Sequence, residues 1–216
     1  MKYSYKSLKK AKLRDTLIIK KCEGKNVLHL GATDAPFTKE KLAQGMLLHS
    51  HIRDVASNVI GLDIDKSSID FLSKKGINDI QYFDMNNLSD LNINIDIIIF
   101  GEIIEHLENL KIAFENLKQV MHANTELIIS TPNLFYIHNF FQIILKNHEL
   151  VHHEHKVGFT YGTIKQLLES NGFEISEFYF TFLPRSTEKI YKKIIKFICK
   201  YKPAFSENLL VITKLI

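Results

Sequence analysis

The order of apolar runs along the chain predicts an α/β fold. The expected architecture is a doubly wound, mostly parallel seven-stranded sheet with an antiparallel edge strand and helices on both faces. Two observations carry this expectation. Five stretches, 26–37, 59–65, 82–88, 96–109 and 126–133, are apolar runs ending in a small or acidic residue, and helix-like segments separate them. Two later runs, 173–182 and 208–214, alternate less cleanly and read as strands pairing in an antiparallel edge. In such a sheet the ligand crevice lies beyond the strand C-termini, so the residue closing each strand is placed to touch ligand.

Taken in order, strand one is Asn26–Leu30, closed by Gly31, and a helix follows from Thr38 with Leu42, Met46 and Leu47 on its apolar face. Strand two is Asn58–Asp63; Ser67 then caps a helix through Phe71 and Leu72 that stops at Gly76. Strand three is Asp79–Phe83 and strand four Ile95–Phe100. Gly101 breaks into a helix over Glu105–Met121, where Leu110, Ala113, Phe114, Leu117 and Met121 recur with helical spacing. Strand five, Glu126–Ser130, ends at Thr131-Pro132-Asn133. An aromatic-rich helix over 134–147 and a helix over Thr163–Ser170, stopped by Asn171-Gly172, precede the two late strands.

The 216 residues, 45% of them apolar and 24% charged, suffice for one domain with ample core, read here as spanning 1–216. A net charge of +4 is too mild to argue by itself for nucleic acid. No apolar run approaches the roughly 18–20 residues that cross a bilayer. The basic start, 1–25, lacks the long apolar stretch of a signal peptide and reads as a surface arm and an amphipathic helix. Cys22 and Cys199 lie far apart without CxxC spacing, which suits a reducing cytoplasm.

The strand-end residues suggest a nucleoside. Gly31 lets a ligand approach the backbone, but GATDAP holds only the first glycine of a G-x-G-x-x-G cradle, which disfavours a pyrophosphate-bearing nicotinamide cofactor. Asp63 could accept hydrogen bonds from both hydroxyls of a ribose, or GLDID could simply begin a helix with Asp65 or Ser67 as cap. Asp84 could accept from an adenine amino group while Ile64 and Met85 sandwich the ring, or serve turn chemistry alone.

Residues 26–133 resemble a class I S-adenosylmethionine-dependent methyltransferase, the Rossmann-like fold in which VLHLGATD, GLDID, YFDMNNL and DIIIFGEIIEHLEN occupy successive strand-end motifs. STPN and HEHKVGFTYGTIKQLLESNGF (153–173) are similar to the C-terminal pattern of O-methyltransferase branches. The usual G-x-G-x-G is reduced to GATDA, and His29 stands where the first strand often carries an acid. The resemblance implies S-adenosyl-L-methionine as cofactor. Asp63 would hold its ribose, Asp84, Ile64 and Met85 its adenine, and Gly31 with its loop, Ala32 and Asp34, its methionine part, with Gly101 also at the cofactor.

An alcohol acceptor holds its proton tightly and needs a base or a metal to release it. Glu102, Glu105 and His106 stand at i, i+3 and i+4, one face if that turn is helical. They could bind Mg, Mn or Zn; His106 alone could act as base, held by a glutamate; or the acids could merely favour a helix start. Of His148, His152, His153 and His155, only His155 matches the C-terminal pattern. E-x-x-E-H with a later H-x-H is also similar to the small-RNA 3′-terminal 2′-O-methyltransferases, which implies Glu102, Glu105, His106 and His155 as metal ligands, although Lys156-Val157-Gly158 departs from that family. The same motif occurs in ubiquinone-pathway and sugar O-methyltransferases.

Between the late strands, 184–203 reads as a basic amphipathic helix. Ile190, Ile194, Phe197, Ile198 and Tyr201 share a face and lysines cover the rest. It could lie on an anionic membrane surface, placing the protein at the inner membrane, or pack on the domain with snorkelling lysines. The main expectation is a cytoplasmic O-methyltransferase acting on a saccharide, glycan precursor or small metabolite. Its rivals are an RNA 3′-terminal 2′-O-methyltransferase and a non-catalytic binding module on the same fold. The sequence implies no stable protein partner.

Overall fold

Apolar residues at successive positions make each central strand hydrophobic on both faces. The computed structural model describes residues 9–84, 88, 94–186 and 190–216 of the chain. In it, β5 (Ile97–Gly101) sends Ile97 and Ile99 to one face of the sheet and Ile98 and Phe100 to the other. The flanking strands β2 (Asn26–Leu30) and β6 (Glu126–Pro132) repeat the division, with Val27 and Ile128 on the first face and Leu28, Leu30, Leu127 and Ile129 on the second. Such strands must be covered on both sides. Ile18 and Cys22 of α1 (Arg14–Cys22), with Leu48 and Ile52 of α3 (Leu48–Val55), cover the first face. The second is covered by Phe114 and Leu117 of α5 (Leu110–Gln119) and by Ile164 and Leu168 of α7 (Tyr161–Ser170).

Five further strands complete the sheet: β1 (Lys9–Leu13), β3 (Asn58–Asp63), β4 (Ile80–Tyr82), β7 (Phe173–Phe182) and β8 (Asn208–Leu215). Their order is β1-β7-β8-β6-β5-β2-β3-β4, with β8 antiparallel to both its neighbours and every other pairing parallel. The chain leaves β2 towards β3 and β4, then returns on the other side of β2 as β5. That reversal between β2 and β5 is the switch point where doubly wound sheets bind ligand.

The expected class and the antiparallel β7–β8 pair are both present, but the sheet has eight strands instead of seven. Residues 9–13, expected as part of a surface arm, form β1 and pair in parallel with β7, Leu13 opposite Phe182. An open β7 edge would present unpaired backbone groups, and β1 satisfies them. The helix expected from Thr38 is two helices, α2 (Thr38–Ala43) and α3, because Gly45 adopts φ +63° and turns the chain between them. α4 (Lys66–Ser73) is capped by Asp65 and not Ser67, the Asp65 side chain accepting from the Ser67 and Ser68 backbone N–H groups at 3.0 and 3.4 Å. The helix expected over 105–121 is divided into a 3-10 turn, Ile104–His106, and α5, which Asn109 caps by accepting from Ile112 N. Two more helices are α6 (Ile137–Lys146), which follows the C-terminal end of β6, and α8 (Ile190–Tyr201), between β7 and β8. No helix among the described residues is long and apolar enough to cross a membrane.

His29, in the middle of β2, is 4% exposed and shares a hydrogen bond with His49 of α3, Nδ1 to Nδ1 at 3.2 Å. His49 in turn faces Asp79, with Nε2 3.5 Å from Oδ2. Burial first, then the His49 ring and the Arg14 and Lys41 charges, hold the His29 imidazole well below its ordinary range. It therefore stays neutral in the fold but takes up a proton in the unfolded chain once the pH falls below about 6.5. Stability should fall with acid, by up to about 1.4 kcal/mol per pH unit from this group. His29→Gln should flatten the decline in melting temperature between pH 7 and pH 5; an unchanged slope would refute the assignment.

Candidate active site

The parallel register brings three strand ends to one level. Leu30 pairs with Leu62 on one side and with Phe100 on the other, so Gly31, Asp63 and Gly101 emerge together. Beyond them opens a cavity of about 1430 Å³, which receives Gly31, Asp34, Asp63, Ile64, Asp84, Gly101, Glu102, Glu105, His106 and His155. Ala32 is elsewhere: it is fully buried with Leu47, Leu72 and Ile80 beneath the loop, so its side chain packs and does not line the cavity. Met85 lies outside the described residues.

Gly31 adopts φ +71°, and a Cβ there would stand 3.0 Å from Ile103 Cδ1, so glycine keeps the backbone open to the cavity. The loop it begins is tied to β3. Asp63 Oδ2 accepts from both the backbone N–H of Thr33 at 2.9 Å and its hydroxyl at 2.7 Å, while Oδ1 accepts from Asp65 N at 3.0 Å. Oδ2 thus uses both of its lone pairs on Thr33, and Oδ1 keeps one for a ligand hydroxyl. Asp63 thus fastens the loop as well as facing the cavity, a role that Thr33 shares and that strand-end reasoning does not reveal. Asp34 also takes a left-handed φ, +56°, and its Oδ1 pairs with Lys41 Nζ at 2.6 Å.

Glu102, Glu105 and His106 do not share a helical face. Glu102 sits at φ +54°, and the turn after it is 3-10. Its carboxylate accepts from Ser130 Oγ at 2.8 Å and from Asn208 Nδ2 at 3.0 and 3.2 Å. Arg14 Nη1 lies 3.3 Å away. Arg14, also bonded to Asp15, is 4% exposed; burial opposes its charge, but the Asp15 and Glu102 carboxylates outweigh that and raise its pKa. Arg14 and Asn208 are neighbours of Glu102 that the sequence does not signal, because they come from distant parts of the chain.

Glu105 is 1% exposed. Thr131 Oγ1 donates to its Oε2 at 2.9 Å, whereas its Oε1 has no hydrogen-bond partner among the described residues. Burial, and then the charge of Glu102, push the Glu105 carboxyl up to about 8. The main chain of Glu105 anchors the later segment: Lys156 N and Val157 N donate to its carbonyl at 2.7 and 3.3 Å. That anchoring brings His155 to the turn, its Nε2 4.0 Å from the free Glu105 Oε1 and its ring edge-on to His106 with centroids 4.8 Å apart. Burial holds His106 below the ordinary histidine range against the pull of Glu154; burial, then the His106 and His152 rings, do the same for His155.

Of the four expected metal ligands, Glu105, His106 and His155 place one donor atom each within 4.8 Å of one another. Glu102 is outside that group, drawn off by Arg14, Ser130 and Asn208. His153, whose side chain is 83% exposed, is a solvated loop residue.

The chain matches a family described as a methyltransferase domain over residues 6–177. No curated protein sequence matches it. Among solved structures it is similar to a SAM dependent methyltransferase from Archaeoglobus fulgidus, at 17% identity over 93% of this chain and 94% of that one, TM-score 0.55. A SAM dependent methyltransferase from Aquifex aeolicus is similar at 13% identity over 94% and 90%, TM-score 0.57. The small RNA methyltransferase HEN1 is similar at 19% identity over 94% of this chain but 25% of that one, TM-score 0.59. These likenesses concern the fold, and the family match concerns descent. The chain belongs to the methyltransferase-domain family and carries the fold of its S-adenosylmethionine-dependent enzymes.

Proposed function

We propose that this methyltransferase transfers the sulfonium methyl group of S-adenosylmethionine to an oxygen of a saccharide or small metabolite. The observation that carries the reading is that Asp63, Asp84 and His106 share one cavity. Asp63 and Asp84, at successive strand ends, face the nucleoside; Gly31 and Gly101 leave room for the methionine part; Ile64 offers an apolar surface to the adenine. The acceptor enters beside His106, which takes the hydroxyl proton as the oxygen attacks the methyl carbon. Displacement at a sulfonium depends mostly on alignment and exclusion of water, so little further chemistry is required of the chain.

A second reading adds a divalent ion. Glu105 Oε1, His106 and His155 fit one: a buried acidic oxygen left without a donor faces two half-buried imidazoles at the cavity wall. Bound there, the ion would favour the deprotonated form of an acceptor hydroxyl. The ribose end of an RNA is the acceptor class to which that reading extends, and it predicts strongly salt-dependent RNA binding.

Calorimetry with S-adenosylhomocysteine tests the first reading. Asp63→Asn should weaken binding about 10-fold or more, the scale of a lost charge-assisted hydrogen bond. No heat with the unaltered chain would instead favour a non-catalytic module. His106→Ala should leave that affinity unchanged and lower kcat by about 10²-fold or more; full activity would remove His106 from the chemistry. For the second reading, Mn or Zn should raise the melting temperature of the unaltered chain but not of Glu105→Gln, and equal shifts would discard the site.

A further inference from the structure

Two helices beyond the cavity present apolar side chains that the described residues leave exposed. α8 buries Ile195 and Cys199, and on its opposite side Ile190, Ile194, Phe197 and Tyr201 recur at helical spacing, 58–78% exposed. α6 buries none of its residues, and its Ile144 and Leu145 are 74% and 75% exposed. The two helices meet where His138 stacks on Tyr191 with ring centroids 5.2 Å apart. A monomeric surface seldom carries an apolar stripe like that of α8 without a partner.

The charge on these helices selects the partner. Neither 134–148 nor 190–206 contains an acidic residue, while the same stretches carry Lys146, Lys192, Lys193, Lys196, Lys200 and Lys202. Lys192 is within 3.7 Å of Glu207, and Lys196 lies over the Phe182 ring. Lys193 and Lys200 are exposed and fall on the flank of the apolar stripe. A second copy docking through this face would oppose lysine to lysine with no carboxylate to answer. RNA would answer the lysines and could stack on Phe197 and Tyr201, but it would leave the aliphatic Ile190, Ile194, Ile144 and Leu145 in water. An anionic bilayer answers both: acyl chains take the stripe and headgroups take the lysines. The helix is also joined to the cavity, because residues 183–186 line its wall and lead through 187–189 into α8.

We propose that the α6–α8 surface docks on an anionic lipid bilayer and brings the adjoining cavity wall to the headgroup surface. Docking is independent of the methyl-transfer reading, since it needs neither cofactor nor acceptor.

The whole chain is sedimented with phosphatidylcholine vesicles, with and without phosphatidylglycerol. Removing 184–203 is unsuitable, because Cys199 and Ile195 belong to a buried cluster with Tyr136 and Phe182. The substitutions used are Ile194→Glu with Phe197→Glu, and separately Lys193→Glu with Lys200→Glu, all at exposed positions. The unaltered chain should sediment with phosphatidylglycerol vesicles, less so as salt rises, and each pair of substitutions should cut partitioning about 10-fold or more with melting temperature unchanged. The chain has no tryptophan, so Phe197→Trp gives a single reporter whose emission should shift to the blue on vesicle addition. Equal sedimentation of variants and unaltered chain, or no sedimentation with either vesicle, overturns the proposal. So does a dimer in solution that Ile194→Glu with Phe197→Glu dissociates.

Discussion

Parallel pairing of β2 with β3 and β5 in one register is the constraint on which the site depends. Because Leu30 faces both Leu62 and Phe100, the chain leaves all three strands at the same height, and their next residues form a rim. A slip of one residue would invert every side chain of the slipped strand between the two faces of the sheet. Both faces are fully packed, so a slip would also carry His29 out from beside His49. Core packing therefore fixes the rim, and the rim decides which carboxylates can meet one ligand.

Above the rim, polar bonds across the sheet order do the positioning. Asp63 holds the glycine loop through Thr33, and Ser130 and Asn208 hold Glu102 from β6 and β8. Glu102 occupies a left-handed backbone conformation, which costs a non-glycine residue about 1–2 kcal/mol and persists only where neighbours over-determine it. Arg14, Ser130 and Asn208 are those neighbours. All three of Glu102, Glu105 and His106 line the cavity, but Glu102 is held by Arg14, Ser130 and Asn208 while Glu105 lies beside His155.

Glu105 shows how the fold tolerates a buried acid. One oxygen is satisfied by Thr131 and the other is not, and an unpaired buried polar atom costs on the order of 1–3 kcal/mol. Burial answers by raising the carboxyl pKa, so the group avoids carrying an unpaired charge at neutral pH. A site with an unmet polar demand, an imidazole 4.0 Å away and an open mouth is poised for chemistry more than for stability. The apolar α6–α8 surface is a different departure from a self-sufficient globule, since its exposed face contributes nothing to the core.

The class of fold and the strand-end residues Gly31, Asp63, Asp84 and Gly101 were legible in the amino-acid order, because short continuous apolar runs and turn chemistry are local properties. His155 beside His106 was legible only through the resemblance of its segment to a family pattern. Other features were not legible at all. Nothing near Lys9–Leu13 marks a strand, because β1 exists only where β7 offers an open edge. The 3-10 turn at Ile104–His106 and the left-handed Glu102 arise from β5 ending against β6. Arg14 and Asn208 reach Glu102 from opposite ends of the chain. The sequence by itself determined which residues close the strands, since each such choice is made within a few neighbours. Tertiary structure alone decided which of them meet and which glutamate stands beside the histidines, since those outcomes depend on partners that no short stretch contains.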